Sequence, residues 1–255
     1  MSATVAWLEP DWAAPPGVRA LCTKRGGGAS AAPFDSLNLG AHVGDAADAV
    51  LENRARLRKA ARMPSGPRWL SQVHGVEVAD LDSAQGIPVA DAAVSARAGT
   101  VCAVLTADCL PVLLSTVDGS VVGAVHAGWR GLAAGVIEAA LRALRARGAP
   151  GIGVQAWLGP AIGPGRFEVG AEVRAVFLQH DPAAAAAFVP NDTGRWQCDL
   201  YALARLRLQR LGVGEITGGG LCTYDAAADF YSHRRDVQHL GLTGTGRMAS
   251  LIWRN

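Results

Sequence analysis

The segment Val101 to Val117, VCAVLTADCLPVLLSTV, constrains the fold of this chain more than any other. It is almost wholly apolar, but it is shorter than a membrane span and carries Asp108 and Pro111, so it reads as buried strands. An Asp-Cys pair between two apolar runs marks the place where a strand pair turns or bends. Asp118-Gly119 is a hairpin signal, and the strand after it, from Ser120, runs into HAGWRG, His126 to Gly131. The remaining elements must be arranged around these core strands.

Upstream, Trp69 to Val78 predicts a strand, and Asp45 to Arg62 predicts a helix with Asp45 near its cap, ending before Pro64. Downstream, Leu132, Val136, Ala140, Leu141 and Leu144 share one face of a helix over Gly131 to Arg147, which Gly148 and Pro150 stop. A strand follows at Val154 to Leu158, then a helix from about Val169 to His180. Asp199 is placed to cap a helix through Leu211, and Ala249 to Trp253 suits a last strand. Thr23 to Gly44, dense in Gly, Ser, Pro and Asn, is too long for an idle connection and is of the kind that carries function. Runs of strands with helices interspersed, lacking a regular βαβ period, predict an α+β fold with mixed sheets, and 255 residues fit one domain over 1–255.

Charge and cysteine content narrow the function classes. Twenty-four basic and 22 acidic residues give a net +2 with no basic run, so nucleic-acid binding has no electrostatic basis. MSATVAWLEPDW has acidic residues where a secretion signal needs a basic segment and then an apolar one. The five cysteines, Cys22, Cys102, Cys109, Cys198 and Cys222, are odd in number and form no CxxC, which argues against a disulfide framework or a zinc knuckle and for a reducing cytoplasm. A membrane partner is not expected.

Three residues could form a reactive centre. Cys109 lies in TADC, His126 at the end of a predicted strand beside small residues, and His74 in SQVHG. Each has a plain reading as well: an inert buried thiol, a helix-capping or core histidine, a strand residue. Together, two imidazoles and a thiolate are a donor set that zinc favours, and three protein ligands leave a fourth position for water or substrate. Ligands drawn from separate strands have no diagnostic spacing, so the pattern alone leaves both readings open.

The motifs TKRGGGAS, PFDSLNLGAHVGD, SQVHG, TADCLPVLL, HAGWRG, LGPAIG, FYSHRRD and TGRMASLIW occur in an order that resembles the YfiH-like laccase-domain proteins, also described as multicopper polyphenol oxidases or purine nucleoside phosphorylases. The resemblance covers nearly the whole chain. It implies a YfiH-like, cytotoxic-necrotizing-factor-like α+β fold with mixed sheets packed in layers between flanking helices. It also implies that His74, Cys109 and His126 bind zinc and are catalytic, with copper as a possible occupant. The activity it implies is phosphorolysis of adenosine, inosine or methylthioadenosine to free base and ribose 1-phosphate, with adenosine deamination besides.

Phosphate requires fixed cations, and without a GxxxxGK[ST] loop the arginines of the family motifs are the candidates: Arg25, Arg130, Arg234 and Arg235. Asn38 could bond a sugar hydroxyl or serve as a turn residue. Asp108 could orient a ligand or bond its own backbone, and Trp129 could stack on a base or pack in the core. His42 is expected near the mouth of the site, and His180 and His239 on the surface. The pattern departs from the family near the C-terminus, where VQHLGLTG separates RRD from TGRMAS and His233 stands where an aromatic residue is common.

Rival functions are a metal-free Cys-His hydrolase or amidase using Cys109 as nucleophile, and a cell-wall editing factor without nucleoside turnover. An ordinary multicopper oxidase needs roughly ten histidines and a cysteine, against six histidines here, so an oxidase activity would be a side activity of copper in the same site.

Overall fold

The computed structural model describes residues 4–255; the first three residues of the N-terminal segment, read above for a leader, lie outside them. Along the chain run β1 (Trp7–Leu8), β2 (Val18–Thr23), α1 (Ala47–Ala60), β3 (Val78–Asp80), β4 (Ala92–Ser95), β5 (Cys102–Thr106), β6 (Leu110–Thr116) and β7 (Val122–Ala127). Then come α2 (Trp129–Ala134), α3 (Val136–Arg147), β8 (Val154–Leu158), β9 (Glu168–Val169), α4 (Ala171–His180), β10 (Phe188–Pro190), β11 (Trp196–Cys198), α5 (Leu200–Arg210), β12 (Glu215–Gly218) and β13 (Met248–Arg254).

The apolar run of the sequence becomes β5 and β6, which part company at the Asp108-Cys109 bend and join different sheets. A six-stranded mixed sheet has the order β12-β8-β6-β7-β4-β3, with its two outer pairs parallel and the inner ones antiparallel. A four-stranded antiparallel sheet has the order β1-β2-β13-β5, and a third, small antiparallel sheet has the order β10-β11-β9, its Val169, Phe188 and Cys198 sharing a core with the six-stranded sheet.

The alternation along each strand shows how the layers stack. In β6, Leu113 faces Val104, Cys22 and Ile252 of the four-stranded sheet. Its neighbours Val112 and Leu114 face the helix side, with Ile137, Leu141 and Leu144 of α3. The far face of the four-stranded sheet carries Leu21, Ala103 and Leu251 and is covered by Leu57 of α1 with Leu37 and Leu39 of the long loop. A sheet buried on both faces needs no polar alternation, which explains the nearly unbroken apolar sequence of β5 and β6. The architecture is α+β with layered mixed sheets and flanking helices. Among the described residues, no helix is long and apolar enough to cross a membrane.

Several local expectations change. The helix predicted over Gly131 to Arg147 is two, α2 and α3, because Gly135 adopts φ 101° and breaks the hydrogen-bond ladder. Asp45 does not cap α1; its Oδ2 accepts from Ser30 Oγ (2.6 Å) and Asn38 Nδ2 (2.9 Å), so it clamps the long loop instead. Asp199 does cap α5, accepting from Ala202 N at 2.9 Å. Trp69 to Val78 is not a strand; only isolated bridges at Arg68 and Ser71 occur before β3.

Leu113 is fully buried between the two sheets. Leu113→Ala should therefore lower unfolding stability by about 2–5 kcal/mol, read as a reduced urea midpoint at unchanged m; a surface-like loss of a few tenths would contradict the two-sheet packing.

Candidate metal centre

The reactive cluster forms at one end of the six-stranded sheet. Cys109 immediately precedes β6, and His126 is the penultimate residue of antiparallel β7, opposite Pro111. Asp91 immediately precedes β4, where Ala92 pairs with Val125 and the Asp91 carbonyl accepts from His126 N at 2.7 Å. Three strand ends thus bring a thiol, an imidazole and a carboxylate together.

His74 arrives from a loop, with φ 61°, a left-handed conformation that costs a non-glycine residue energy unless its surroundings enforce it. Asp91 enforces it. Its carboxylate accepts three successive backbone N–H groups, from Val73 (3.2 Å), His74 (2.9 Å) and Gly75 (2.6 Å). The same carboxylate meets His126 Nδ1 at 2.8 Å. Gln72 ties the preceding residue of this loop to β5, donating to Leu105 O and accepting from Leu105 N, both at 2.8 Å. This is why SQVHG is a tight loop and not the strand its composition predicts.

With Nδ1 engaged, His126 presents Nε2 to the cluster. Donor atoms of His74, Cys109 and His126 lie within 4.8 Å of one another, and Cys109 Sγ is 3.8 Å from His74 Nε2. The two imidazoles stand nearly perpendicular, ring centroids 4.8 Å apart. Glycine makes this closeness possible: a Cβ on Gly128 would come within 2.8 Å of the His74 ring and 3.0 Å of Cys109 Sγ. A Cβ on Gly131 would meet the Gly75 carbonyl at 2.8 Å, so the glycines of HAGWRG are spaces the cluster requires. Converging N and S donors, one histidine backed by a carboxylate, fit a metal ion with an outer-shell partner.

The electrostatics agree. Burial alone would raise the Cys109 thiol, but the adjacent imidazoles of His126 and His74 outweigh it and bring its pKa down to about 6. Burial would lower His126, but the Cys109 thiolate and the Asp91 carboxylate raise it to about 9. Burial opposes ionisation of Asp91 too, yet its bonds from His126 and Gly75 hold it below the ordinary carboxylate value.

Asp108 fixes the Cys109 bend. It has φ 85°, and its carboxylate accepts from Thr223 Oγ1 (2.6 Å) and from Arg234 N (2.7 Å). It therefore ties the β5–β6 bend to the C-terminal segment and does not bond its own backbone as one reading of the sequence allowed.

The cluster opens onto a cavity of about 410 Å³. Arg130 and Arg234 line it, as do His42, Trp129 and His233, together with Gln72 and Arg247, which sequence reasoning did not single out. Three nominated residues lie elsewhere. Arg25 spends its guanidinium on Asp35 O, Asp35 Oδ2 and Ala227 O and stacks on Tyr231. Arg235 is buried against the carbonyls of Thr223, Tyr224 and Phe230 and the carboxylate of Asp236. Asn38 is fully buried and braces the loop through Asp45, Gly40 and the backbone of Arg247. All three are structural because their polar atoms are already committed. Asp91 was missed because a single Asp before Ala-Ala-Val looks like any residue entering a strand.

Two outcomes follow. In metal-free protein, iodoacetamide labelling of the Cys109 peptide should rise through about pH 6, since the thiol is protonated below that value and a thiolate above it; labelling delayed to the ordinary thiol value of 9.0 would disprove the ion pair. Asp91→Asn, which removes the charge behind His126, should shift that midpoint upward and weaken metal binding about 10–100-fold in chelator competition.

Comparison with known proteins finds relatives along nearly the whole chain. A purine nucleoside phosphorylase of Pseudomonas aeruginosa is 53% identical over 249 residues, 97% of this chain and 98% of that protein. The purine nucleoside phosphorylase YfiH of Escherichia coli is 50% identical, covering 96% and 98%. A solved Neisseria meningitidis structure superposes with a TM-score of 0.90 at 44% identity over 98% of this chain and 99% of that one. YlmD from Geobacillus stearothermophilus gives 0.85 at 32% over 98% and 96%. Residues 19–255 match the model described as multi-copper polyphenol oxidoreductase laccase, and the chain belongs to that family.

Proposed function

We propose that this protein is a purine nucleoside phosphorylase, acting as one domain, in which zinc occupies the centre formed by His74, Cys109 and His126. The observation that carries this reading is the opening of that donor cluster onto the same cavity as a set of arginines. Relatives at 53% and 50% identity bearing the phosphorylase name support it. Zinc suits a donor set of two imidazoles and a thiolate, and when bound it supplies Lewis acidity to a leaving base or lowers the pKa of a water. Copper fits the same donors, but six histidines do not furnish the several copper sites of an ordinary multicopper oxidase.

In phosphorolysis a phosphate oxygen bonds to the ribose anomeric carbon while the bond to the purine nitrogen breaks, and its electron pair leaves with the base. The chain's part is to hold the anion against the developing positive ribose and to keep the base in place. Arg130 and Arg234 are on the cavity wall for the first task. Trp129 offers an aromatic edge for the second, although the Arg130 guanidinium lies 4.5 Å from its ring centroid. Adenosine deamination is the second expected activity of the centre. A cytoplasmic setting suits five cysteines that are all unpaired.

One observation favours a second reading. Cys109, His126 and Asp91 form a thiolate, an imidazolium and a buried carboxylate in sequence, the arrangement by which cysteine hydrolases activate a nucleophile without metal. Chelation separates the two.

Zinc-loaded protein given adenosine or inosine should release free base and ribose 1-phosphate, seen by chromatography, only when phosphate is present. Cys109→Ala or metal removal should reduce turnover at least ~100-fold. Inosine formed from adenosine without phosphate would mark deamination. Absence of nucleoside turnover by protein shown to hold zinc would refute the phosphorylase, and hydrolytic activity that survives chelation would establish the thiolate enzyme.

A further inference from the structure

The cavity facing the metal centre has an unbalanced charge: Arg130, Arg234 and Arg247 line it against a single acid, Asp108. The three arginines are not equivalent. Arg234 directs Nη1 and Nη2 to the carbonyls of Arg166 (3.4 Å) and Glu168 (3.2 Å) and stacks on Phe167, which fixes it as part of the wall. Arg130 is exposed and lies over Trp129 at the rim.

Arg247 is held differently. Its backbone is clamped on both sides by the long loop, Arg247 N donating to Asn38 Oδ1 at 2.9 Å and Leu39 N donating to Arg247 O at 3.2 Å. Its stem passes over Gly40, where a Cβ would stand 2.8 Å from Arg247 Cγ. Nη1 donates to the carbonyls of Thr245 and Gly246. Nε and Nη2 have no acceptor among the described residues. The loop that supplies Asn38 and Gly40 also brings His42 to the cavity wall, and His233 arrives from the C-terminal side.

We infer that Arg247, positioned by Asn38 and Gly40, is the principal cation of a phosphate subsite in this cavity, with His42 and His233 as hydrogen-bonding partners. The inference rests on the phosphorylase reading for its ligand and replaces Arg25 and Arg235 as the sequence's candidates. A guanidinium fixed by its backbone and by two carbonyl contacts has lost its conformational freedom before the anion arrives, so little ordering cost remains. Its two uncommitted donors match the edge of a tetrahedral oxyanion. His42 and His233 are both held below their ordinary pKa by burial first and the Arg247 charge next, so near neutrality each brings one N–H and no added charge. Asp108, whose carboxylate accepts hydrogen bonds from Thr223 Oγ1 and Arg234 N, anchors the bend and acts on Arg247 through its charge, as does Cys109, and not through a hydrogen bond.

Inorganic phosphate is the probe, titrated calorimetrically into the zinc-loaded full-length protein, beside steady-state kinetics with inosine. Arg247→Gln should weaken phosphate binding and raise the KM for phosphate at least about tenfold, with the KM for inosine changed less than about threefold. Gly40→Ala keeps the charge but displaces the stem, so it should raise the phosphate KM in the same sense; it carries the test if Arg247→Gln does not fold. Unaltered phosphate binding in both variants, or an equal loss for phosphate and inosine, would overturn the assignment. Phosphate binding that depends on Arg247 in a protein that cleaves no nucleoside would keep the subsite and refute the phosphorylase. Cleavage with an unchanged phosphate KM in Arg247→Gln would do the reverse.

Discussion

Everything chemical in this protein depends on the carboxylate of Asp91. It is fully buried, and a buried charge is tolerated only when its oxygens are engaged. Here four donors engage it: three successive backbone N–H groups at Val73 to Gly75 and Nδ1 of His126. The desolvation cost of one group is offset as it places two candidate metal donors, His74 and His126, at once. The left-handed backbone at His74 persists because relaxing it would strip donors from an anion that has no water to replace them.

The layered fold provides the setting in which such a carboxylate can exist. β4 and β6 both start at the same end of the six-stranded sheet at which antiparallel β7 finishes, so their adjoining residues, Asp91, Cys109 and His126, meet without any long-range loop. Burial of that sheet on both faces, by α3 on one side and the four-stranded sheet on the other, gives these strand ends fixed positions. The C-terminal segment then closes the site from above, because Asp108 binds both Thr223 and the Arg234 backbone. A bend at Asp108, strained by its positive φ, is thereby held from two directions.

The same three groups support two chemistries. With a metal, the Asp91–His126 pair is an outer-shell contact that fixes the tautomer of a ligand. Without one, Cys109 and His126 exchange a proton to form an ion pair that stands between about pH 6 and about pH 9. The cavity adds a charge imbalance beside the cluster, three arginines lining it against one aspartate.

The apolar spacing of Val101 to Val117, the Asp118-Gly119 hairpin and the cap at Asp199 are local signals, so the sequence by itself determined β5, β6, β7 and the start of α5. His74, Cys109 and His126 were legible too, because few residue types make a metal donor set and their motifs resemble one family. The tertiary structure decided what those signals could not carry. Asp91 has no local signature, since its partners lie 16 to 35 positions away. Arg25 and Arg235 look in the sequence like Arg130, and Asn38 like any exposed loop asparagine; only the fold shows that neighbouring carbonyls and carboxylates have already taken their polar atoms. Arg247 is the converse case, an arginine in a C-terminal motif left open by the sequence, whose backbone is held at the cavity wall by the Asn38 side chain, 209 positions earlier, and by the backbone of Leu39. Periodicity records which face of an element is buried; it does not record which donor finds which acceptor once the layers close.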